Sequence, residues 1–238
     1  MFVIILSLLS IFWAKSEGAI IAVLGTSFIS LILINTKTRI VVLGLSVVFI
    51  SLFSFNTTIR NYSLEKFLLN DLSGQIKKQQ WIETKKMLAA NHWWPGVGLA
   101  NYQERVAPYH NKGIFVSDGS KDFWQKIETD ESFRVTYWQP TEIYLYPHNI
   151  FLNFWSELGL LGLLLFLWIT IKCIYFAAED KILGLGIIMA IVAIYIHGLV
   201  DVPYFKNDLS MIFFTILSLA AIIKLQKTYG NSTEIHRR

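Results

Sequence analysis

The 238-residue chain has little charge and a single cysteine, and both shortages limit what it can be. Charged residues make up 16% of the sequence and hydrophobic residues 54%, which is less charge than a water-soluble domain usually carries. One cysteine, Cys173, excludes an intramolecular disulfide and a cysteine metal cluster. The acidic residues show no metal-binding spacing, so we expect neither a metal nor another cofactor.

The apolar residues come in long blocks, a pattern that is typical of helices embedded in lipid. Six blocks are predicted to form helices: residues 1–13, 18–34, 39–55, 150–174, 182–199 and 209–224. The first block is shorter than the roughly 20 residues that a membrane crossing needs. It also lacks the basic start and the cleavage site of a signal peptide. We interpret it as the end of a helix whose beginning is missing, in a C-terminal fragment or a chain read from a late methionine.

The short loops predict the orientation. Lys37 and Arg39 lie in a turn between two blocks, and further cations fill the C-terminal tail, so the positive-inside rule puts both in the cytoplasm. The predicted organisation is N-terminal transmembrane helices over residues 1–55, an extracytoplasmic loop over 56–147, C-terminal transmembrane helices over 148–226 and a cytoplasmic tail over 227–238. The formal net charge of +4 mostly reflects this topology and indicates no nucleic-acid partner.

Several cations fall on the predicted outer side, and the two lysines among them each have two interpretations. Lys15 lies either in a solvated turn or opposite an anionic group at the membrane surface. A helix is predicted over residues 75–90, where Lys77 stands four residues before a tryptophan, so one face combines a cation with an aromatic ring. A solvated lysine-rich face is the alternative. Arg60 and Arg105 have the guanidinium geometry that suits phosphate.

Two histidines lie where the chain meets the membrane. His148 and Asn149 follow a proline, at the start of a helix that runs back into the membrane. A helix N-terminus disfavours an imidazolium, so His148 is expected to be neutral, as a general base must be. A capping or anchoring role is the alternative. His197 and Asp201 share a helix face if their helix continues to Asp201, and otherwise belong to a re-entry turn.

Two segments carry a family resemblance. Residues 93–102 (WWPGVGLANY) and 146–162 (YPHNIFLNFWSELGLLG), with Trp81 upstream, resemble the signature of the O-antigen ligase and O-antigen polymerase superfamily. The resemblance covers roughly residues 14–175. It implies an all-α, polytopic membrane helix bundle of about six spans, with a large extracytoplasmic loop and a GT-C-like architecture.

The resemblance also implies an activity. Members are glycosyltransferases of the bacterial cytoplasmic membrane that act on its outer side, without a metal or a nucleotide sugar at the transfer step. The implied partners are the lipid bilayer, an undecaprenyl-diphosphate-linked glycan and an acceptor hydroxyl on a glycan, a lipid or a protein. His148 matches a histidine that acts on the acceptor, while external cations hold the diphosphate.

This chain departs from the family pattern in its cations. Lysine stands where members often have arginine, which leaves diphosphate binding to be shared among several residues. The predicted substrate-binding residues are Lys15, Arg60, Lys77, Arg105, Asn149, His197 and Asp201. The alternatives to an active enzyme are an inactive truncated fragment and a non-enzymatic transporter fragment. A transporter would show charges or broken helices in mid-span, and the middles of these spans are almost free of charge.

Overall fold

The computed structural model describes residues 2–202 and 207–235, and most of these residues are helical. Contacts divide the chain into two compact units. We call Met1–Leu45, Asn149–Phe151 and Gly162–Arg238 the helix unit, and Ser46–His148 with Leu152–Leu161 the loop unit. Two of the tail cations that predicted the orientation, Arg237 and Arg238, lie outside the described residues.

The secondary structure is a series of helices interrupted by one pair of short strands in the described part of the chain. In chain order, the elements are α1 (Phe2–Trp13), α2 (Glu17–Ile34), α3 (Thr36–Phe55), α4 (Thr57–Phe67), α5 (Leu72–Met87), α6 (Tyr102–Val106), β1 (Gly113–Phe115), α7 (Phe123–Thr129), α8 (Glu131–Tyr137), β2 (Trp138–Pro140), α9 (Ile150–Ala177), α10 (Leu183–Gly198) and α11 (Asn207–Ile235). The strands are a small departure from the all-α prediction.

Each of the six predicted apolar blocks is a helix, which confirms that part of the sequence prediction. Among the described residues, α2, α9 and residues Ser210–Tyr229 of α11 are long and apolar enough to cross a membrane. A fourth span results only if α3 counts together with the helical segment that follows it after a bend. Helices α1 and α10 are apolar but shorter. The count of six spans and the GT-C-like arrangement therefore stay predictions.

Glycine lets α2 and α10 pack closely within the helix unit. A Cβ on Gly18 would lie 2.9 Å from Cδ2 of His197, and a Cβ on Gly25 would lie 3.1 Å from Cδ1 of Ile196. The two glycines are seven residues apart, about two helical turns, so they lie on one face of α2. Small residues on a shared face bring helix backbones together without a hydrophobic driving force, as in other membrane helix pairs.

The other end of the helix unit is a conventional apolar core. It joins α9, α10 and α11, and its buried members are Cys173, Ala177, Ile187, Ile191, Ala220 and Ile223. Lys224 of α11 donates to Glu179, just beyond α9, at 2.6 Å. Dispersion and close packing therefore hold these three helices together at the end where α9 finishes.

The loop unit has a small core of its own. Met87, Tyr102 and Val106 are buried there, and partly buried Val97 and Ile143 pack against them. The strands β1 and β2 pair antiparallel and bring together the two ends of the segment that carries α7 and α8. A core of this size buries little apolar surface, so polar contacts must contribute more of the order in this unit.

Helix α5 forms one side of the loop unit. Asp71 caps its first turn by accepting from the amide of Gly74 at 3.2 Å. The helix continues through a π-helical turn, Leu88–His92, before the proline and glycines of residues 95–98 end it. The helix predicted over residues 75–90 is confirmed as α5 and this turn.

Candidate active site

The two signature segments meet at a break in α9. Gly159 has φ 73° and ψ −178°, which interrupts the helix and removes the donors that the carbonyls of Ser156 and Glu157 would have one turn later. The amide of Val97 donates to the Ser156 carbonyl at 2.7 Å, and the amide of Gly98 donates to the Glu157 carbonyl at 2.9 Å. The loop after α5 therefore replaces the missing helical hydrogen bonds.

The glycines of both segments are required by this close approach. Gly96 and Gly159 both have positive φ, 69° and 73°. A Cβ on Gly159 would collide with the carbonyl oxygen of Trp94, and a Cβ on Gly96 would collide with the backbone nitrogen of Gly159. The amide of Leu160 donates to the Trp94 carbonyl at 3.1 Å. These signature glycines thus serve the fold of the loop unit and not the chemistry directly.

Side chains strengthen the same junction. Glu157 is buried, and its carboxylate accepts from the amide of Ala100 at 3.3 Å. The indole nitrogen of Trp155 donates to the carbonyl of Trp93 at 2.6 Å. Side chains as well as backbone therefore join residues 93–100 to Trp155 and Glu157 of α9.

His148 is oriented by Gln80 of α5. Nδ1 of His148 lies 2.8 Å from Oε1 of Gln80. An amide oxygen only accepts, so this contact places a hydrogen on Nδ1, and a neutral imidazole then has its lone pair on Nε2. The rings of Tyr144 and Tyr146 each lie 5.1 Å from the imidazole, measured between ring centroids. His148 has φ 45°, a left-handed conformation that histidine adopts more readily than bulkier residues. Sequence reasoning missed Gln80, for which spacing gave no signal.

Gln80 belongs to a polar face of α5. Residues Lys77, Gln80, Trp81 and Thr84 are spaced three and four apart, so they are neighbours on one side of the helix. The hydroxyl of Thr84 lies 2.7 Å from that of Tyr102. Burial raises the pKa of Tyr102 far above its ordinary value, so this phenol stays protonated and plays a structural part.

Lys77 is the cation on this face. It is half-buried, and its ammonium makes no hydrogen bond or ion pair within residues 2–202 and 207–235. Partly buried charges are usually paired, because losing water costs free energy. An unpaired, half-buried ammonium one helical turn from Gln80 is therefore suited to an anionic ligand.

A second histidine has a different role. Nδ1 of His110 lies 3.2 Å from Oε2 of the buried Glu83, and its Nε2 lies 3.1 Å from the carbonyl of Thr141. Both partners are acceptors, so each ring nitrogen of His110 faces a group to which a ring N–H can donate. Glu83 also accepts from the amide of Asn111 at 2.9 Å. This pair holds the chain after α6 against α5, and sequence spacing had not indicated it.

The two predicted arginines are not joined to His148. Arg60 of α4 and Arg105 of α6 are exposed. Among the described residues, no hydrogen bond or ion pair links either guanidinium to His148 or Gln80. Nor does any group of three metal-ligating side chains come together in this part of the chain.

The remaining predicted residues belong to the helix unit. His197 and Asp201 lie 3.8 Å apart, Nε2 to Oδ2, because the backbone keeps an i,i+4 hydrogen bond past the end of α10. The side-chain amide of Asn149 donates to the Leu199 carbonyl at 3.0 Å. Lys15 is exposed, with φ 49°, in the turn before α2. His197, Asp201 and Asn149 are thus gathered around one turn, the segment that follows α10.

A comparison with protein families gives a match that covers both signature segments. A sequence model of the O-antigen ligase family matches residues 2–167, well over half of the chain. The chain belongs to the O-antigen ligase family. No curated protein and no solved structure matched it. As a member of this family with apolar helices long enough to cross a membrane, it is an integral membrane protein with a glycosyltransferase-type activity.

Proposed function

We propose that this protein transfers an oligosaccharide from a lipid diphosphate, of the undecaprenyl type, to an acceptor hydroxyl on the outer side of the cytoplasmic membrane. The acceptor oxygen attacks the anomeric carbon, the bond from that carbon to the diphosphate oxygen breaks, and the diphosphate leaves on its lipid. The hydroxyl proton passes to Nε2 of His148. Direct displacement of this kind inverts the anomeric centre and needs no covalent enzyme intermediate.

The hydrogen bond from His148 to Gln80 is the observation that carries the proposal. By holding the hydrogen on Nδ1, Gln80 keeps the lone pair on Nε2, which is the form that a general base uses. General-base assistance contributes about 10²–10⁴-fold to a rate. Gln80 acts as a positioning residue, since it reaches the reacting atoms only through His148.

Lys77 is proposed to stabilise the departing diphosphate. It lies one helical turn from Gln80 on the same side of α5, is half-buried and has no ionic partner among the described residues. A cation aimed at developing negative charge lowers the barrier most where water is partly excluded. Arg60, Arg105 and Lys15 are proposed as secondary contacts for the diphosphate or the bilayer. His197, Asp201 and Asn149 are proposed to contact the acceptor.

A complementation assay tests the activity. The chain is expressed in bacteria that lack their own O-antigen ligase or polymerase, and surface glycan is read as a ladder on a gel. Restored glycan that is lost in His148→Ala supports the proposal, whereas glycan that persists in His148→Ala removes His148 from the mechanism.

The matched control is His92→Ala. His92 contributes its backbone carbonyl, which accepts from Gly96, and this contact survives the substitution. We therefore expect His92→Ala to leave the ladder unchanged. In a host that lacks both enzymes, a single repeat on the core, in place of a ladder, would assign the chain to ligation and exclude polymerisation.

A further inference from the structure

A groove lies on the side of α5 that faces away from His148. Residues Gln75, Lys78, Gln79 and Ile82 line it, and their spacing of three and four puts them on one side of the helix. A helix turns by about 100° per residue, so these four residues lie on the opposite side of α5 from the polar face that contains Gln80. The groove has a volume of about 890 Å³ and continues along α4, residues 111–119 and Trp124 of α7.

The lining combines polar side chains that can pair with hydroxyls with an apolar surface, which is the larger part. Carboxamides contribute both donors and acceptors, and five of them line the groove: Asn61, Asn70, Gln75, Gln79 and Asn111. Glu65 and Asp118 add carboxylates. The ammonium of Lys78 donates to Oδ1 of Asn70 at 2.9 Å, so its charge is directed to the wall of the groove. Asn70, Gln75 and Gln79 use part of this capacity within the protein, so a neutral polyhydroxyl compound would pair mainly with Asn61, Asn111 and the two carboxylates.

The wall is held in place before any ligand arrives. Gln75 accepts from the amide of Ser117 at 3.2 Å and donates to its carbonyl at 3.3 Å. The hydroxyl of Tyr137 donates to Asp118 at 3.3 Å, and a hydrogen bond from Ser120 lowers the pKa of Asp118, so this carboxylate is ionised at neutral pH. A preformed wall reduces the entropy lost on binding.

An exposed aromatic ring completes the groove. The side chain of Trp124 is 61% exposed, and its ring packs edge-on against the fully buried ring of Phe123, with centroids 5.1 Å apart. A ring fixed at one side and exposed at the other offers an apolar face at little entropic cost. The C–H face of a pyranose stacks on such a ring while its hydroxyls reach the amides.

We propose that this groove binds an uncharged oligosaccharide segment that is remote from the sugar being transferred. The groove and His148 are separated by the width of α5, about 10–12 Å with side chains, so a sugar in the groove is not the one that reacts. Glu65 and Asp118 give the groove two negative charges and Lys78 gives it one positive charge, so acidic sugars are repelled. The choice of a glycan as the natural ligand rests on the proposed function. The groove would retain a long chain while its reactive end is at His148.

Binding of defined sugars tests the groove directly. The full chain, in a detergent without a sugar head group, is titrated with chitohexaose, maltohexaose and hexagalacturonate, and binding is read by saturation-transfer NMR. We expect at least one neutral hexasaccharide to bind and hexagalacturonate to bind more weakly. Trp124→Ala and the isosteric Glu65→Gln should each weaken binding about tenfold, a loss of about 1.4 kcal/mol. Trp124→Phe should retain most of it.

Controls separate this proposal from its competitors. Val135→Ala removes an exposed apolar side chain on α8, outside the groove, and should leave binding unchanged. Absence of binding by both neutral sugars, unchanged affinity in Trp124→Ala and Glu65→Gln, or preference for hexagalacturonate would overturn the proposal. Saturation transferred instead to the detergent acyl chain, and lost in Trp124→Ala, would assign the groove to lipid and overturn it as well.

The two proposals fail separately. His148→Ala should lose transfer and keep sugar binding. Sugar binding in a chain that never transfers glycan would overturn the enzymatic proposal alone. If the chain transfers glycan but its groove variants bind sugars like the wild type, only the groove proposal is overturned.

Discussion

Different kinds of contact stabilise the interior of the helix unit and the interior of the loop unit. In the helix unit, apolar side chains and glycines pack helices whose backbone bonds are satisfied internally. In the loop unit, much of the backbone is irregular, and buried polar side chains such as Glu83 and Gln75 pair with it. The candidate base, its positioning residue and the groove all belong to the loop unit. The proposed chemistry therefore lies in the unit whose fold depends more on hydrogen bonds.

The comparison predicts that polar substitutions in the loop unit damage it most. His110→Ala removes the side chain that joins the buried Glu83 carboxylate to the Thr141 carbonyl, and loss of a hydrogen-bond partner by a buried carboxylate costs about 3 kcal/mol. We expect a large fall in the melting temperature of the detergent-solubilised chain. His92→Ala is the matched control and should melt like the wild type. Equal melting of the two variants would contradict the importance of the His110–Glu83 pair.

Two glycine substitutions compare a crowded position in the loop unit with an open position in the helix unit. Gly159→Ala places a Cβ against the Trp94 carbonyl at positive φ, which overpacks and strains the junction by about 2–4 kcal/mol. Gly186 lies in α10 with open space beside it, so Gly186→Ala should be tolerated. Yield and monodispersity of the two variants after solubilisation measure the difference. Similar behaviour of the two variants would refute a structural role for Gly159.

Substitution of Gln80 should lower the rate of glycan transfer. Gln80→Leu removes the acceptor that orients His148, and misplacement of a catalytic group by about 1 Å costs about 10²-fold in rate. Gln80→Glu keeps an acceptor at the same place and should retain more activity, with a changed pH profile. Transfer of a short lipid-linked glycan in vesicles provides the rate. A Gln80→Leu variant as fast as the wild type would exclude a positioning role.

Loss of the Lys77 ammonium should weaken binding of the lipid-diphosphate donor. Lys77→Ala removes the ammonium proposed for the diphosphate, and a charged hydrogen bond of about 1.5 kcal/mol corresponds to about tenfold in the KM for lipid diphosphate. Lys86→Ala removes an exposed ammonium from the same helix but from its other side, and should leave KM unchanged. If the two variants raise KM equally, the effect is one of general charge and not of a site.

The smallest expected effect is the loss of the Asp130 helix cap at acidic pH. The hydroxyl of Ser132 donates to Asp130, which also caps α8 by accepting from the amides of Ser132 and Phe133, and these hydrogen bonds lower the pKa of Asp130 in the folded chain. The stabilisation is therefore fully present above about pH 4 and is lost as the pH falls through the lowered pKa. NMR shifts of the two amides should titrate in that range, and Asp130→Asn should abolish the titration. Amides that titrate unchanged in Asp130→Asn would contradict the cap.

The sequence predicted the helices better than the way they are joined. Apolar blocks identify helices because each residue adds to one local pattern, and all six blocks are helical. The break at Gly159 was not predicted, since glycine is common in membrane helices and an apolar run conceals an interruption. The test against a transporter relied on charge alone, whereas a broken helix does occur. The family match supports a ligase all the same.

Partners distant in sequence could not be predicted from spacing. Gln80 and His148 are separated by 68 positions, and His110 and Glu83 by 27. Nothing in the intervening residues encodes their distance, because it results from the packing of the whole loop unit. Sequence reasoning did identify the two signature segments and their resemblance to a family. It did not indicate that their glycines join the loop to α9.

The junction at Gly159 also has a consequence for synthesis at the ribosome. Chains emerge N-terminus first at about 5–20 residues per second, so the donor amides near Val97 precede the Ser156 carbonyl by about 3–12 s. The donors are therefore already available when the broken part of α9 appears, and its carbonyls have partners from the start. The reverse order would have left bare backbone acceptors waiting at the membrane surface.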